Sequence, residues 1–405
     1  MLLTNARIVL PDRIQSGSVR IRAEHINALG DRFQPEAGEA VVDLRGLYLA
    51  PGFIDLHMHV GLAYPDRHPE YELELCGKNL PANGTTRFLP TLISALRGDL
   101  PLFFDAIRSF VSTNPAAARP LGVHLEGPYI AAEVRGGFHP SQIATPREFS
   151  LQPILNEGSD LVRIVSLSPE LPGCEEVIRD CVQRGIVVGL CHTLGGEDIY
   201  LVARRAGATH ITHTYNNRRT FPDSPLGGRA FNLDDLGVAD DDVTCELICD
   251  GTHVKPVWIK TIYRTKGPDK ICLITDSFSA GRRSAEGETF QTPGGTLVTV
   301  RNGVGRDPKG GLAGSVLTQD QAIRVFMQHA GCPLPEAIRC ASLNPARVLK
   351  VQDQLGSIEA GKGADLVVLD EELLPVMTLV AGCVAFDRRS QQASARIAPA
   401  PAKVS

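Results

Sequence analysis

The sequence predicts an α/β protein, a closed (β/α)8 TIM-type barrel with a small β-sandwich domain formed by its N- and C-terminal segments. Three observations carry that prediction. Eight short apolar runs recur between residues 51 and 276, most of them separated by segments long enough for a helix. Such alternation is the signature of a parallel sheet. Five of the runs close on residues that bind metal or move protons, as expected of a barrel whose chemistry collects at the C-terminal strand ends. Finally, the two ends of the chain share a texture of short, alternating apolar and polar pieces, so they are expected to pair.

Taken in order, ARIVL, SVRIRAEHINAL and AVVDLRGLYLAP make residues 1–50 the first part of the sandwich. PGFIDLHMH opens the barrel, residues 51–350, after a Pro-Gly turn, and its period of two puts His57 and His59 on one face of a strand. Two hydrogen-bonded core histidines would explain that pair in isolation. Strands TTRFLPT (85–91), GVHLE ending at Glu126, LVRIVSLS (161–168), IVVGLCH ending at His192 and ATHITH ending at His213 follow. DVTCELICD (242–250) and KICLITD, ending at Asp276, complete the eight. Beyond them come a Gly-rich hairpin, a helix capped by Ser315 that runs to about Gly331, and a second helix over about 334–350. Residues 351–386 return to the sandwich texture, and the Ala-, Ser- and Pro-rich tail, 387–405, is expected to be disordered.

Composition narrows the function. The chain has 405 residues, 43% apolar and 21% charged, enough for one large domain and one small one. A formal charge of −5 with interspersed signs offers no basic stripe for nucleic acid. No apolar stretch reaches membrane-spanning length, and the N-terminus lacks the build of a signal peptide. Ten cysteines without a CxxC pair, several inside apolar runs, suit a reducing cytoplasm.

PGFIDLHMH, LPTLIS, HLEGP, the CH at 191–192, THTYNN, DGTH, ITDS and LAGS stand here in the order and approximate spacing of the N-acetylglucosamine-6-phosphate deacetylases of the amidohydrolase superfamily, which the chain resembles from about residue 50 to 350. The resemblance implies Glu126, His192 and His213 as the main metal ligands and Asp276 as the catalytic acid/base. It implies substrate contacts at His139, Asn216, Asn217, His253 and Leu312, Ala313 and Gly314. It further implies an amino sugar substrate and a homodimer. Where the family carries a phosphate-binding arginine after THTYNN, this chain has Arg218, Arg219 and, later, Arg229, and Val60 stands where the family favours Gly.

The residue chemistry agrees. A carboxylate with two imidazoles is a normal three-ligand set for zinc, the expected ion, or iron, and leaves a position open for water. His57 and His59 provide for a second ion. The bridging carboxylated lysine used elsewhere in the resembled superfamily has no candidate at strand four, so Glu126 would have to do that bridging. A carboxylate at Asp276 can take a proton from water and deliver it to a departing amine. His124, one layer below Glu126, is expected in a hydrogen-bonded core role, and His210 in a structural one. Three readings follow. The first is hydrolysis of the acetamide of an N-acetylated amino sugar, foremost N-acetylglucosamine 6-phosphate. The second is attack on another N-acyl amine, a cyclic amide or an aminopurine, and the third is a non-catalytic assembly protein that has kept the barrel. The last expects missing ligands, whereas all five and Asp276 are present.

Overall fold

The computed structural model describes residues 1–60, 68–93, 95–96, 98–113, 116–216, 231–291 and 297–390. Asn217, Arg218, Arg219, Arg229 and the tail beyond 390 lie outside them.

The chain opens with β1 (Leu2–Val9), β2 (Ile14–Arg22), β3 (His25–Gly30), β4 (Val41–Asp43) and β5 (Tyr48–Pro51). The barrel strands are β6 (Phe53–His59), β7 (Thr85–Ile93), β9 (Val123–Glu126), β10 (Val162–Leu167), β11 (Val187–Leu190), β12 (His210–Ile211), β13 (Thr244–Ile248) and β14 (Ile271–Ile274), with a two-residue strand β8 (Arg119–Pro120) beside β7. All eight expected runs are strands. They pair in parallel from β6 round to β14 in chain order. Covered on both faces, they read as unbroken apolar runs, which made them visible in the sequence.

The seam between β14 and β6 is closed at the C-terminal end. The Asp276 N–H donates to the His57 carbonyl at 2.8 Å and the His59 N–H to the Ser277 carbonyl at 2.9 Å. Buried Asp55 locks it from within, accepting the Thr275 hydroxyl at 2.6 Å and the backbone N–H groups of His57 at 3.2 Å and Thr275 at 3.3 Å. Strand β6, which carries both His57 and His59, is thereby held in register with the strand that leads to Asp276.

After the barrel come a three-stranded antiparallel sheet, β15 (Thr289–Gln291), β16 (Leu297–Arg301) and β17 (Val304–Arg306), and then β18 (Leu366–Leu369), β19 (Pro375–Val380) and β20 (Cys383–Asp387). Both chain ends enter one continuous sheet, joined where β5 pairs antiparallel with β18. The alternation of β18 shows how that sheet is used. Leu366 and Val368 enter a small core with Ile8, Val19 and Leu49, whereas Val367 and Leu369 face the barrel core.

Two details differ from expectation. The first late helix is Gln319–Ala330, and its cap is Thr318 in a capping box with Gln321, while Ser315 instead accepts the Leu317 N–H. The second is broken into Leu334–Ala341 and Leu343–Val348 around Ser342. Pro345 has no N–H to return to residue 341, so an unbroken helix would lose that bond and crowd the proline ring.

Candidate active site

His192, His213 and Asp276 each stand two residues beyond the last paired residue of β11, β12 and β14, and each has a positive φ, at 45°, 33° and 50°. A left-handed backbone is uncommon for residues with a Cβ and costs on the order of 1–3 kcal/mol. Here it turns the chain out of the sheet at once, leaving the side chain over the barrel mouth. Glu126 is the last residue of β9 and needs no such turn.

These side chains converge. Glu126 Oε1 lies 3.0 Å from His213 Nε2 and 3.3 Å from His192 Nε2. Its other oxygen, Oε2, faces His57 Nε2 at 3.7 Å and His59 Nε2 at 3.9 Å. Asp276 Oδ1 is 2.8 Å from His59 Nε2 and 3.3 Å from His57 Nε2. Glu126, His192 and His213 bring their donor atoms within 4.8 Å of one another, and so do His57, His59 and Asp276. Ligand atoms on a tetrahedral zinc, about 2.0–2.1 Å from the ion, sit roughly 3.3 Å apart, so the first set has the spacing of a metal site.

Donor chemistry fits as well. His192 Nδ1 lies 2.8 Å from the Val134 carbonyl, which can only accept, so Nδ1 carries a proton and Nε2, turned to Glu126, is the nitrogen placed to ligate. His57 Nδ1 faces the Glu246 carboxylate at 3.1 Å, leaving Nε2 buried with no hydrogen-bond partner. Charge points the same way. Burial opposes ionisation of Glu126, yet the hydrogen bonds of His192 and His213 and the charge of His57 hold its pKa well below the carboxylate range. His57 is likewise raised well above the usual imidazole range despite burial, by Asp276, Glu126 and Glu246. In the bare chain the proton of His57 balances these acids; a divalent cation would do the same.

His253 sits at the rim. Asp250 Oδ2 lies 2.5 Å from its Nδ1, and Asp250 Oδ1 accepts the backbone N–H groups of Thr252 and His253, both at 2.8 Å. Burial works against charging the ring, but Asp250 and, further off, Asp276 raise its pKa. The Leu312–Gly314 strip lies beside the Asp276 exit: Ser277 bridges Ser315, and the Phe278 N–H donates to the Ser315 carbonyl. Gly314 has φ +91°, and a Cβ there would meet the Phe278 ring at 2.5 Å, so no other residue fits. Asn216 returns its N–H to the His213 carbonyl at 2.9 Å. His139 is set apart: exposed, its ring caps the turn 140–142 through Ser141, and it makes no hydrogen bond to the histidine and carboxylate cluster. Expected contacts at Asn217 and Arg229 fall outside the described residues.

His124 lies below the cluster, buried between the Ser166 hydroxyl at 2.7 Å and the Leu56 carbonyl at 3.2 Å, and burial followed by the charge of His57 pushes its pKa down to about 3. Sequence reasoning missed Glu246 and Asp55, both fully buried acids that hold site residues from behind. The one available signal was an acid in the middle of an apolar run, as in TCELICD.

Residues 48–393 match the family described as the amidohydrolase family. The chain is 32% identical over 343 residues to the N-acetylglucosamine-6-phosphate deacetylase of Bacillus subtilis (strain 168), covering 84% of each chain. It is also 32% identical over 333 residues to the N-acetylgalactosamine-6-phosphate deacetylase of Escherichia coli O157:H7, covering 80% of this chain and 84% of the relative. Among solved structures, the N-acetylglucosamine-6-phosphate deacetylase of Pasteurella multocida superposes with a TM-score of 0.83 at 28% identity, over 95% of this chain and 98% of that one.

Proposed function

Since the chain belongs to the amidohydrolase family and, within it, to the N-acetylglucosamine-6-phosphate deacetylases, we propose that it hydrolyses the acetamide of an N-acetylated amino sugar phosphate, releasing acetate and the free amine. N-acetylglucosamine 6-phosphate is the foremost substrate. The observation that carries the reading is the convergence of Glu126, His192 and His213 from three strands, with Asp276 and Glu126 both facing His57 Nε2.

In this reading Glu126, His192 and His213 would hold a divalent ion, zinc or iron, and His57 and His59, which face Glu126 Oε2, would provide for a second. The bound ion would lower the pKa of a water molecule and polarise the amide carbonyl. Asp276 accepts the proton of that water and passes it to the departing nitrogen, serving as base and then as acid. His253, held by Asp250 at Nδ1, presents Nε2 as a donor to the carbonyl oxygen or a sugar hydroxyl. Leu312 to Gly314 line the approach, with Asn216 beside His213. An arginine among Arg218, Arg219 and Arg229 completes the reading by taking the 6-phosphate through its planar donor fork, and a homodimer belongs to the same proposal.

The test is a product assay on N-acetylglucosamine, its 6-phosphate and N-acetylgalactosamine 6-phosphate, following acetate and ammonia. Acetate from the phosphorylated sugars is expected. Ammonia release would move the assignment to a deaminase, and equal rates with and without phosphate would remove the phosphate from the proposal. Asp276→Asn, which keeps the shape but cannot take the proton, should lower turnover by roughly two to four orders of magnitude with substrate binding retained.

A further inference from the structure

We propose that Glu246, in the middle of β13, is a positioning residue: its carboxylate fixes the ring of His57 and so determines how firmly the position formed by His57, His59 and Asp276 holds a divalent cation. This rests on the metal-dependent reading above.

Glu246 is completely buried, and both of its oxygens are engaged by nitrogen atoms. Oε1 faces His210 Nε2 at 3.0 Å. Oε2 faces His57 Nδ1 at 3.1 Å and accepts the His213 backbone N–H at 3.2 Å. An ionised carboxylate has no proton to give, so His57 Nδ1 must carry one. In the neutral ring that ligates a metal, His57 Nε2 is then the nitrogen that keeps a lone pair. That atom lies 3.3 Å from Asp276 Oδ1 and 3.7 Å from Glu126 Oε2, is fully buried, and makes a hydrogen bond with neither. A buried ring nitrogen facing two carboxylates calls for positive charge at that spot, which a proton supplies in the bare chain and a divalent cation would supply in its place.

The effect is directed at one position. His192 is held by the Val134 carbonyl and touches Glu246 nowhere. His213 is steadied independently by Glu126, and the neighbouring Thr214 N–H is received by the backbone carbonyl of Glu246, which no substitution removes. For His57 the carboxylate is the partner that selects the tautomer. Its loss therefore weakens the His57 position and spares the Glu126, His192 and His213 set.

Two variants separate positioning from simple packing. Glu246→Ala removes the acceptor. Glu246→Gln can keep an acceptor oxygen on His57 and His213 while its NH2 group donates to His210, because the Thr244 hydroxyl, 2.5 Å from His210 Nδ1 and 3.3 Å from the Thr209 carbonyl, allows that ring to change tautomer. Full-length zinc-loaded protein would be equilibrated against increasing chelator and the retained zinc measured by elemental analysis, with His192→Ala used to assign the release steps. Unmodified protein should release two equivalents separately. In Glu246→Ala the equivalent insensitive to His192→Ala should be lost at about 10–100-fold weaker chelation, the other staying within about threefold, and Glu246→Gln should fall between. Should the alanine variant not fold, selective weakening of one equivalent in the glutamine variant decides alone. Unchanged release in the variants, equal weakening of both equivalents, or a single equivalent in unmodified protein overturns the role of Glu246. A single equivalent that His192→Ala abolishes leaves the metal-dependent reading intact, whereas no retained zinc at all would remove that reading too.

Discussion

At His192, His213 and Asp276 the backbone and the side chain have opposing preferences. Each φ is one that glycine takes freely and an L-residue takes at a cost, yet the side chain is what the site needs. Glycine at these positions should therefore be more stable than alanine, although both delete the side chain's polar group. We expect His192→Gly and Asp276→Gly to unfold at higher denaturant than the matching alanine variants, by about 1 kcal/mol. Alanine equal to or above glycine would show that these backbones are relaxed. Single residues also mark the limit of reading from sequence. Asp276 was legible because it ends an apolar run, where a barrel keeps its chemistry. Glu246 was not, because its meaning depends on His57, 189 positions away, and an acid inside a strand carries no sign of which histidine it will meet.

Between elements, the decisive contact joins the barrel to the sheet of the chain ends. Arg87, on β7, places Nε 2.5 Å from Asp365 Oδ2 and Nη2 3.1 Å from Oδ1, and Asp365 also accepts the Ala381 N–H at 2.7 Å. Both side chains are largely buried, at 13% and 5% exposure. Removing one partner of such a pair strands a charge, so Asp365→Ala should cost about 3–5 kcal/mol, whereas Arg87→Leu with Asp365→Leu should cost clearly less than the sum of the single changes. Additive losses in equilibrium unfolding would mean the two groups do not act as a pair. This contact was not legible in the sequence, for the reason that the eight strands were: a buried parallel strand announces itself locally through its apolar run, but which edges pair is decided by residues far apart. The break at Ser342 shows the reverse, since Pro345 was in plain view and an otherwise helical pattern outweighed it.

For the whole molecule, the cluster at the barrel mouth ties together β6, β9 and the exits of β11, β12 and β14, strands spread round most of the barrel. In the bare chain Glu126, Asp276 and Glu246 share the positive charge of His57, whose buried Nε2 has no hydrogen-bond partner. A cation that binds only the folded arrangement stabilises it by mass action, about 2.7 kcal/mol when its free concentration is 100 times the dissociation constant. Chelation should therefore lower the unfolding midpoint of the protein, and added zinc should restore it. Glu126→Gln, which removes the charge of the carboxylate facing the four histidines, should shift the midpoint much less on chelation while remaining folded. The midpoint should also rise with zinc concentration, as linkage requires. If midpoints with and without chelator coincide in the unmodified protein, or if Glu126→Gln responds to zinc as the unmodified protein does, the cluster does not hold its ion through Glu126.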